Sequence, residues 1–186
     1  MNWTDVPQLL DLKIDLVRFD AELYALTNRL GILPEAFFID HIAVRCHQTV
    51  TAQRWYQGFS QCGRVLNKTK INGRNIALFE LTTPLVLKGQ AIHCIELPWP
   101  GERRYPHEGW EHIEMVLPGE TDTFYPRALA LISEGALASP DLRIKQSQPR
   151  AQEDTLANPT LAISDGRVTV KFHPHRLSDI VTAGRR

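Results

Sequence analysis

The feature that most constrains this chain is an internal duplication. "FIDHIAVRC" and "GWEHIEMVL" each read as an apolar strand with an imidazole set into it, and each opens the same succession of elements. The first is followed by "VTAQRWYQGFSQCG", a short helix with Gly63 as its stop, then by the strand "GRVLNKTKI", the turn Asn72-Gly73, the strand "RNIALFEL", and "AIHCIELPW", which Pro98 and Pro100 close. The second is followed by "TDTFYPRALALISEG", a helix with Leu129, Leu131 and Ile132 as its apolar stripe and Gly135 at its end. Then come the strand "DLRIKQSQ", a polar loop to Pro159, "TLAIS", the turn Asp165-Gly166 and "RVTVKFH". Asn-Gly is the strongest two-residue hairpin signal. His41 and His112, Gly63 and Gly135, and Glu96 and Lys171 keep nearly the same offset, so the chain contains two βαβββ units in sequence. Such units rarely bury a hydrophobic face alone, and the halves are expected to pack with their sheets continuous or facing.

The class that this predicts is α+β: two paired βαβββ modules forming a cup-shaped mixed sheet, with a helical arm in front. The arm spans residues 1–34, with leucines at helical intervals from Leu9 to Leu30, closed by Gly31 and ended by Pro34. The core spans 35–186: module one at 35–100, a connector at 101–109, module two at 110–175 and a tail at 176–186. With 186 residues the chain can bury enough apolar surface to fold without staples. Lys+Arg and Asp+Glu both total 21, which leaves no global field to recruit nucleic acid or an anionic membrane. Cys46, Cys62 and Cys94 lack C-x-x-C spacing and read as reduced thiols. The start "MNWTDVPQLL" lacks the basic and apolar regions of a signal peptide, and no apolar run is long enough to span a bilayer. The expectation is a cytoplasmic protein whose partner is a small molecule, with neither nucleic acid nor membrane involved.

Side chains on a strand alternate faces. In "DHIAVR", His41, Ala43 and Arg45 oppose Ile42 and Val44; in "EHIEMVL", His112, Glu114 and Val116 oppose Ile113, Met115 and Leu117. In "RVTVKFH", Thr169, Lys171 and His173 oppose Val168, Val170 and Phe172. "AIHCIEL" sets Ile92, Cys94 and Glu96 against a face that His93 interrupts. One face is thus apolar, ready for helices, and the other collects His, Glu, Arg and Lys. A half-wet antiparallel sheet alternates in the same way with no site at all. Imidazole and carboxylate converging from separate strands would also suit a borderline first-row metal.

Paired βαβββ units, with a His on the first strand of each and "IEL" on the last strand of the first, resemble the vicinal oxygen chelate superfamily of glyoxalases, ring-cleaving dioxygenases and drug-sequestering proteins. "DHIAVRC", "IELPWPGE", "RRYPHEGWEHIE", "NPTLA" and "VKFHP" look closer still to the YecM-like group, for which metal binding is the expected property. The superfamily resemblance implies a sheet cup around a divalent ion, here iron, zinc, manganese or nickel. It puts His41, Glu96 and His112 on three of its four ligand positions. At the fourth, where glyoxalase-like members often carry a carboxylate, this chain has Lys171, which weakens an isomerase reading. Open metal positions for a bidentate oxygen substrate, with Lys171 and Arg45 neutralising a substrate carboxylate, suit the departure better. Glu114 is open between fourth ligand and general base, and His173 has the parity for a site role. The resulting expectation is a metal-binding protein that takes a small oxygen-rich substrate and, if it is an enzyme, is of isomerase, lyase or dioxygenase type. Its rival is a non-catalytic module that sequesters a small molecule in the same cup.

Other residues read more plainly. His47 and His175 belong to the surface, His93 to a satisfied, partly buried position, and Trp55 and Phe59 to the core. His107 and Glu108 either shape the rim of the cup or order the crossover. Arg103, Arg104, Tyr105 and Trp110 form a basic-aromatic patch that reads as a packed linker.

Overall fold

The strands whose alternation leaves one apolar face join into a single open sheet, and the helices cover that face. The computed structural model describes residues 1–71, 73–148 and 158–183. Module one runs β1 (Phe38–Arg45), α2 (Thr49–Cys62), β2 (Gly63–Ile71), β3 (Arg74–Leu87) and β4 (Gln90–Pro98), after an N-terminal α1 (Leu10–Leu30). Module two runs β5 (Gly109–Val116), α3 (Phe124–Leu129), α4 (Glu134–Leu137), β6 (Arg143–Ser147), β7 (Thr160–Ser164) and β8 (Thr169–His173), followed by α5 (Leu177–Ala183). The eight strands lie in the order β2-β3-β4-β1-β5-β8-β7-β6. Each leading strand pairs in parallel with the last strand of its own module, and β1 meets β5 antiparallel at the centre. The two halves therefore form one continuous cup-shaped sheet rather than two facing ones.

The predicted apolar face is the core. Ile42, Val44, Ile95, Leu97, Ile113, Met115, Val170 and Phe172 are all buried, and one hydrophobic cluster joins them to Trp55 and Phe59 of α2 and to Leu12, Phe19, Leu23, Leu26 and Leu30 of α1. The leader is one long helix preceded by two 3-10 turns, and it ends where Gly31 takes a left-handed conformation with its N–H on the carbonyls of Thr27 and Asn28. Leu10 is exposed despite the leucine spacing. No helix among the described residues is long and apolar enough to cross a membrane.

Asp15 of α1 ties this helix to the entrance of β5. Its carboxylate accepts hydrogen bonds from Arg18 Nε (2.7 Å) and Nη2 (2.9 Å) and from the Trp110 N–H (2.8 Å), with His107 Nε2 at 2.7 Å. The approach requires a glycine at 109: its φ is +140°, and a Cβ there would lie 2.1 Å from Asp15 Oδ2. Burial would raise the Asp15 pKa, but the Arg18 guanidinium and the Trp110 N–H outweigh it and hold it below its ordinary value. A depressed carboxylate stabilises the fold above its unfolded pKa of about 3.9 and loses that contribution as pH falls through the lower folded value. Asp15→Asn is expected to cost about 2 kcal/mol near neutrality. The gap from wild type should narrow on acidification below about pH 4, as urea unfolding across pH would measure.

Three expectations are corrected. The helix expected over "TDTFYPRALALISEG" is broken into a 3-10 turn, α3 and α4, because Ser133 caps a new helix through Ala136 N–H (3.3 Å) while its own N–H reaches Leu30 O (2.9 Å); Gly135 lies inside α4 and stops nothing. Gly63 is extended and opens β2, with a virtual Cβ 2.6 Å from the Glu80 carbonyl, so it serves close strand approach rather than helix capping. His93 is exposed, its Nδ1 3.1 Å from Leu81 O, because the β3–β4 register shifts between Glu80 and Leu85 and buries Ile92 instead. Asn72 of the expected first hairpin turn lies outside the described residues, as do residues 149–157 of the polar loop and 184–186 of the tail.

Candidate metal centre

Sheet register brings the polar residues of four strands together at the middle of the cup. His41 on β1 stands beside Glu114 on β5, and Glu114 beside Lys171 on β8. In the next row Glu96 on β4 flanks Ala43, which flanks His112 on β5. Ala43 offers only a methyl group, so the longer Glu96 and His112 can converge over it. His41 Nε2 lies 3.5 Å from Glu114 Oε1 and 3.8 Å from Glu96 Oε2. His112 Nε2 lies 3.3 Å from Glu114 Oε1 and 4.0 Å from Glu96 Oε1. One donor atom from each of the four residues falls within 4.8 Å of the others. Bonds of about 2.0–2.2 Å to a shared tetrahedral ion imply donor separations of roughly 3.4 Å, close to what is seen.

The two leading strands reach this arrangement by the same device. The β1–β5 register shifts between Ile39 and His41, which makes Asp40 the extra residue on β1, and again between Ala43 and Val44, which makes Glu111 the extra residue on β5. A bulge re-aims side chains that strict alternation would send to the opposite face. Asp40 Oδ2 lies 3.1 Å from His41 Nδ1, and Glu111 Oε2 lies 2.6 Å from His112 Nδ1. Each carboxylate is itself held, Asp40 by the Leu177 N–H (3.0 Å) and Glu111 by the Thr169 hydroxyl (2.6 Å). A carboxylate on Nδ1 holds a proton there and leaves Nε2 as the ring nitrogen turned towards the centre. Alternation from the sequence missed Asp40 and Glu111; the signal was an acid directly before the histidine in both "DH" and "EH".

Acid outweighs base at this centre. Four carboxylates, Asp40, Glu96, Glu111 and Glu114, face the side chains of Arg45 and Lys171, so acids outnumber the Arg and Lys cations by two. Burial opposes protonation of His41, yet Glu114, Asp40 and Glu96 raise its pKa to about 10. Burial likewise favours a neutral Glu114, but the Lys171 ammonium and His41 hold its carboxyl well below the usual range. The buried Nε2 atoms of His41 and His173 make no hydrogen bond among the described residues. Buried polar atoms without partners call for one.

The remaining candidates fall around this centre. Lys171 Nζ lies 2.9 Å from Glu114 Oε1 and 3.0 Å from His112 Nε2. Arg45 is buried, with Nη1 3.4 Å from Glu96 and Nε 3.7 Å from Glu111, and its guanidinium stacks on Tyr105 at 4.8 Å. Both cations thus face carboxylates of the protein itself. His173 is buried, with Nδ1 3.2 Å from Asn158 Nδ2 and Nε2 3.5 Å from Asp40; burial, ahead of its neighbours, lowers its pKa. Asp40, His41 and His173 make a second group able to hold a metal. The connector does shape the cup: Arg103, Tyr105 and His107 line it, Glu108 accepts from the His47 N–H (2.6 Å), and Trp110 is core. The cavity above the cluster has a volume of about 730 Å³.

Because Glu111 orients His112 without touching the centre, Glu111→Gln, which keeps the shape, is expected to weaken divalent-ion affinity about tenfold. Competition titration against a chromogenic chelator measures it.

A duplicated βαβββ sheet with a buried cluster of two histidines and two glutamates at the junction of its halves defines an α+β protein with a candidate metal centre. The chain belongs to the YecM family: the family model described as "YecM protein" matches residues 8–184. It is 48% identical over 182 residues to Protein YecM of Escherichia coli (strain K12), covering 98% of this chain and 97% of that protein. It is 34% identical over 171 residues to a Haemophilus influenzae protein described as uncharacterized, covering 89% and 90% of the two chains. A solved structure described as structural genomics protein EC4020 superposes with a TM-score of 0.92 at 48% identity, over 98% of this chain and 96% of that one.

Proposed function

We propose that the protein binds one divalent metal ion through His41, Glu96, His112 and Glu114 and presents it to a small oxygen-rich ligand in the cup. The observation that carries this reading is the donor geometry: one atom each from two imidazoles and two carboxylates lies within 4.8 Å of the others, and the buried His41 Nε2 among them makes no hydrogen bond among the described residues. Mixed imidazole and carboxylate donors suit iron, zinc, manganese or nickel. Glu114 supplies the fourth donor that the last strand, carrying Lys171, does not. The topology, with both histidines on leading strands and Glu96 on β4, supports membership of the vicinal oxygen chelate superfamily. The bound ion would supply Lewis acidity to a chelating substrate. The protein's own groups hold each imidazole through a carboxylate on its Nδ1, and Arg45 and Lys171 offset the acids of the floor.

One observation favours a second reading. Lys171 Nζ already contacts both His112 and Glu114, so the ammonium can act as the cation of a metal-free cup that only binds its ligand. Elemental analysis after chelator-free purification separates the two: the metal reading expects one divalent ion per chain, and an ion-free protein that also takes up none on dialysis would overturn it.

A further inference from the structure

We infer that the cup takes an anionic small molecule, whose oxyanion end, carboxylate or phosphate, rests on a basic subsite made by Arg143 and Lys145 at the β6 edge, remote from the histidines. The inference deepens the reading of this cavity as a ligand cup. It does not need the ion.

Sheet register fixes the placement. Lys171 on β8 stands beside Ala162 on β7, which stands beside Lys145 on β6; Thr169, Ser164 and Arg143 form the adjacent row. Strands about 4.8 Å apart put the β6 backbone roughly 14 Å from that of His112 and Glu114 on β5. Between them the wall carries Ala162 and Ser164, whose small side chains leave a trough from the histidines to the edge. Arg143 and Lys145 both line the cavity, whereas Ile144 and Gln146 between and beside them take the other face.

Lysines on an edge strand often serve only to block edge-to-edge pairing. The opposite edge shows what that looks like here. On β2, Asn67 and Thr69 line the cup, and Lys68 turns to the helix side to stack on Tyr56 at 4.4 Å. Arg64 of β2 pairs with Glu80, so among the described residues of the two edge strands the cations that line the cavity are Arg143 and Lys145 of β6. Arg74 and Arg103 add positive charge from the far wall. The cavity's carboxylates, Glu96, Glu111 and Glu114, are bound to the imidazoles and cations of the floor, and among the described residues none pairs with Arg143 or Lys145. In a chain of zero net charge this concentration is local. A guanidinium beside an ammonium is suited to an oxyanion. A concave volume of about 730 Å³ suits a small molecule rather than a polymer.

The test titrates protein stripped on a chelating resin with inorganic pyrophosphate and, separately, citrate, by calorimetry. Wild-type protein is expected to bind at least one, more weakly as salt is raised. Affinity should fall about tenfold or more in an Arg143→Gln/Lys145→Gln chain and persist in His93→Ala, an exposed residue outside the cavity lining. Pyrophosphate alone binding assigns a phosphate end, and citrate alone a carboxylate end. Both substituted residues are exposed, and matching thermal midpoints would show that the fold is kept. No binding at millimolar probe, or equal affinity in the double variant, would overturn the proposal. Because the titration is free of metal, an absent ion bears on the metal reading alone.

Discussion

On the proposed metal reading, a His112→Ala chain is expected to bind a divalent ion more weakly than wild type by more than the roughly 100-fold that loss of a supporting partner can cost. His112 is wholly buried and presents its Nε2 to Glu96 and Glu114. Truncation removes one of four donors and strips Glu111 of its imidazole contact, so an ion would find three ligands and a misdirected carboxylate. His41→Ala should behave in the same way, since Asp40 and His41 repeat the geometry in the other half of the sheet. His93→Ala, on an exposed side chain of β4, should keep the ion and serves as the control. Elemental analysis reads all three, and thermal unfolding without metal separates loss of a ligand from loss of the fold. Wild-type metal content in both His112→Ala and His41→Ala would rule out this centre.

The sequence reached His41, Glu96, His112 and Glu114 because period-two alternation holds over the stretches where they lie, and their apolar opposites, Ile42, Ile95, Ile113 and Met115, all point into the helix-covered core. It stopped short of Asp40 and Glu111 because alternation assumes unbroken pairing. A bulge is a property of two strands together, so the extra residue of each shows only when β1 is laid against β5. Arg45 shows a related limit. Its parity pointed into the cup, but only the folded register reveals Glu96 and Glu111 within reach, which commits the guanidinium to the protein's own acids. The broken second helix turned on a tertiary partner: Ser133 starts a new helix where its N–H meets the carbonyl of Leu30 at the end of α1, a contact that no local window contains.

Lys171→Met is expected to tighten divalent-ion binding about 100-fold while lowering the stability of the metal-free protein. The ammonium lies 2.9 Å from Glu114 and 3.0 Å from His112 Nε2, within the space that a shared ion would need. An entering ion must displace it and then tolerate it nearby. An ammonium and a divalent ion about 4 Å apart repel by roughly 8 kcal/mol at the effective dielectric of a protein surface, twice the unit-charge figure, and displacement and partial exposure of Lys171 reduce that to the approximately 2.7 kcal/mol that a 100-fold change represents. Methionine keeps the length and apolar stem and removes the charge. Without metal, the variant loses one of the cations that face the four carboxylates and leaves Glu114 without its ammonium, so its unfolding midpoint should fall. With metal, the divalent charge replaces the missing ammonium, so the ion-induced rise in midpoint should exceed that of wild type. The two readings of Lys171 part at this point. If the ammonium is a built-in cation of a metal-free cup, Lys171→Met destabilises the protein and added ions restore nothing; if it competes for a metal centre, ions restore what the substitution removed.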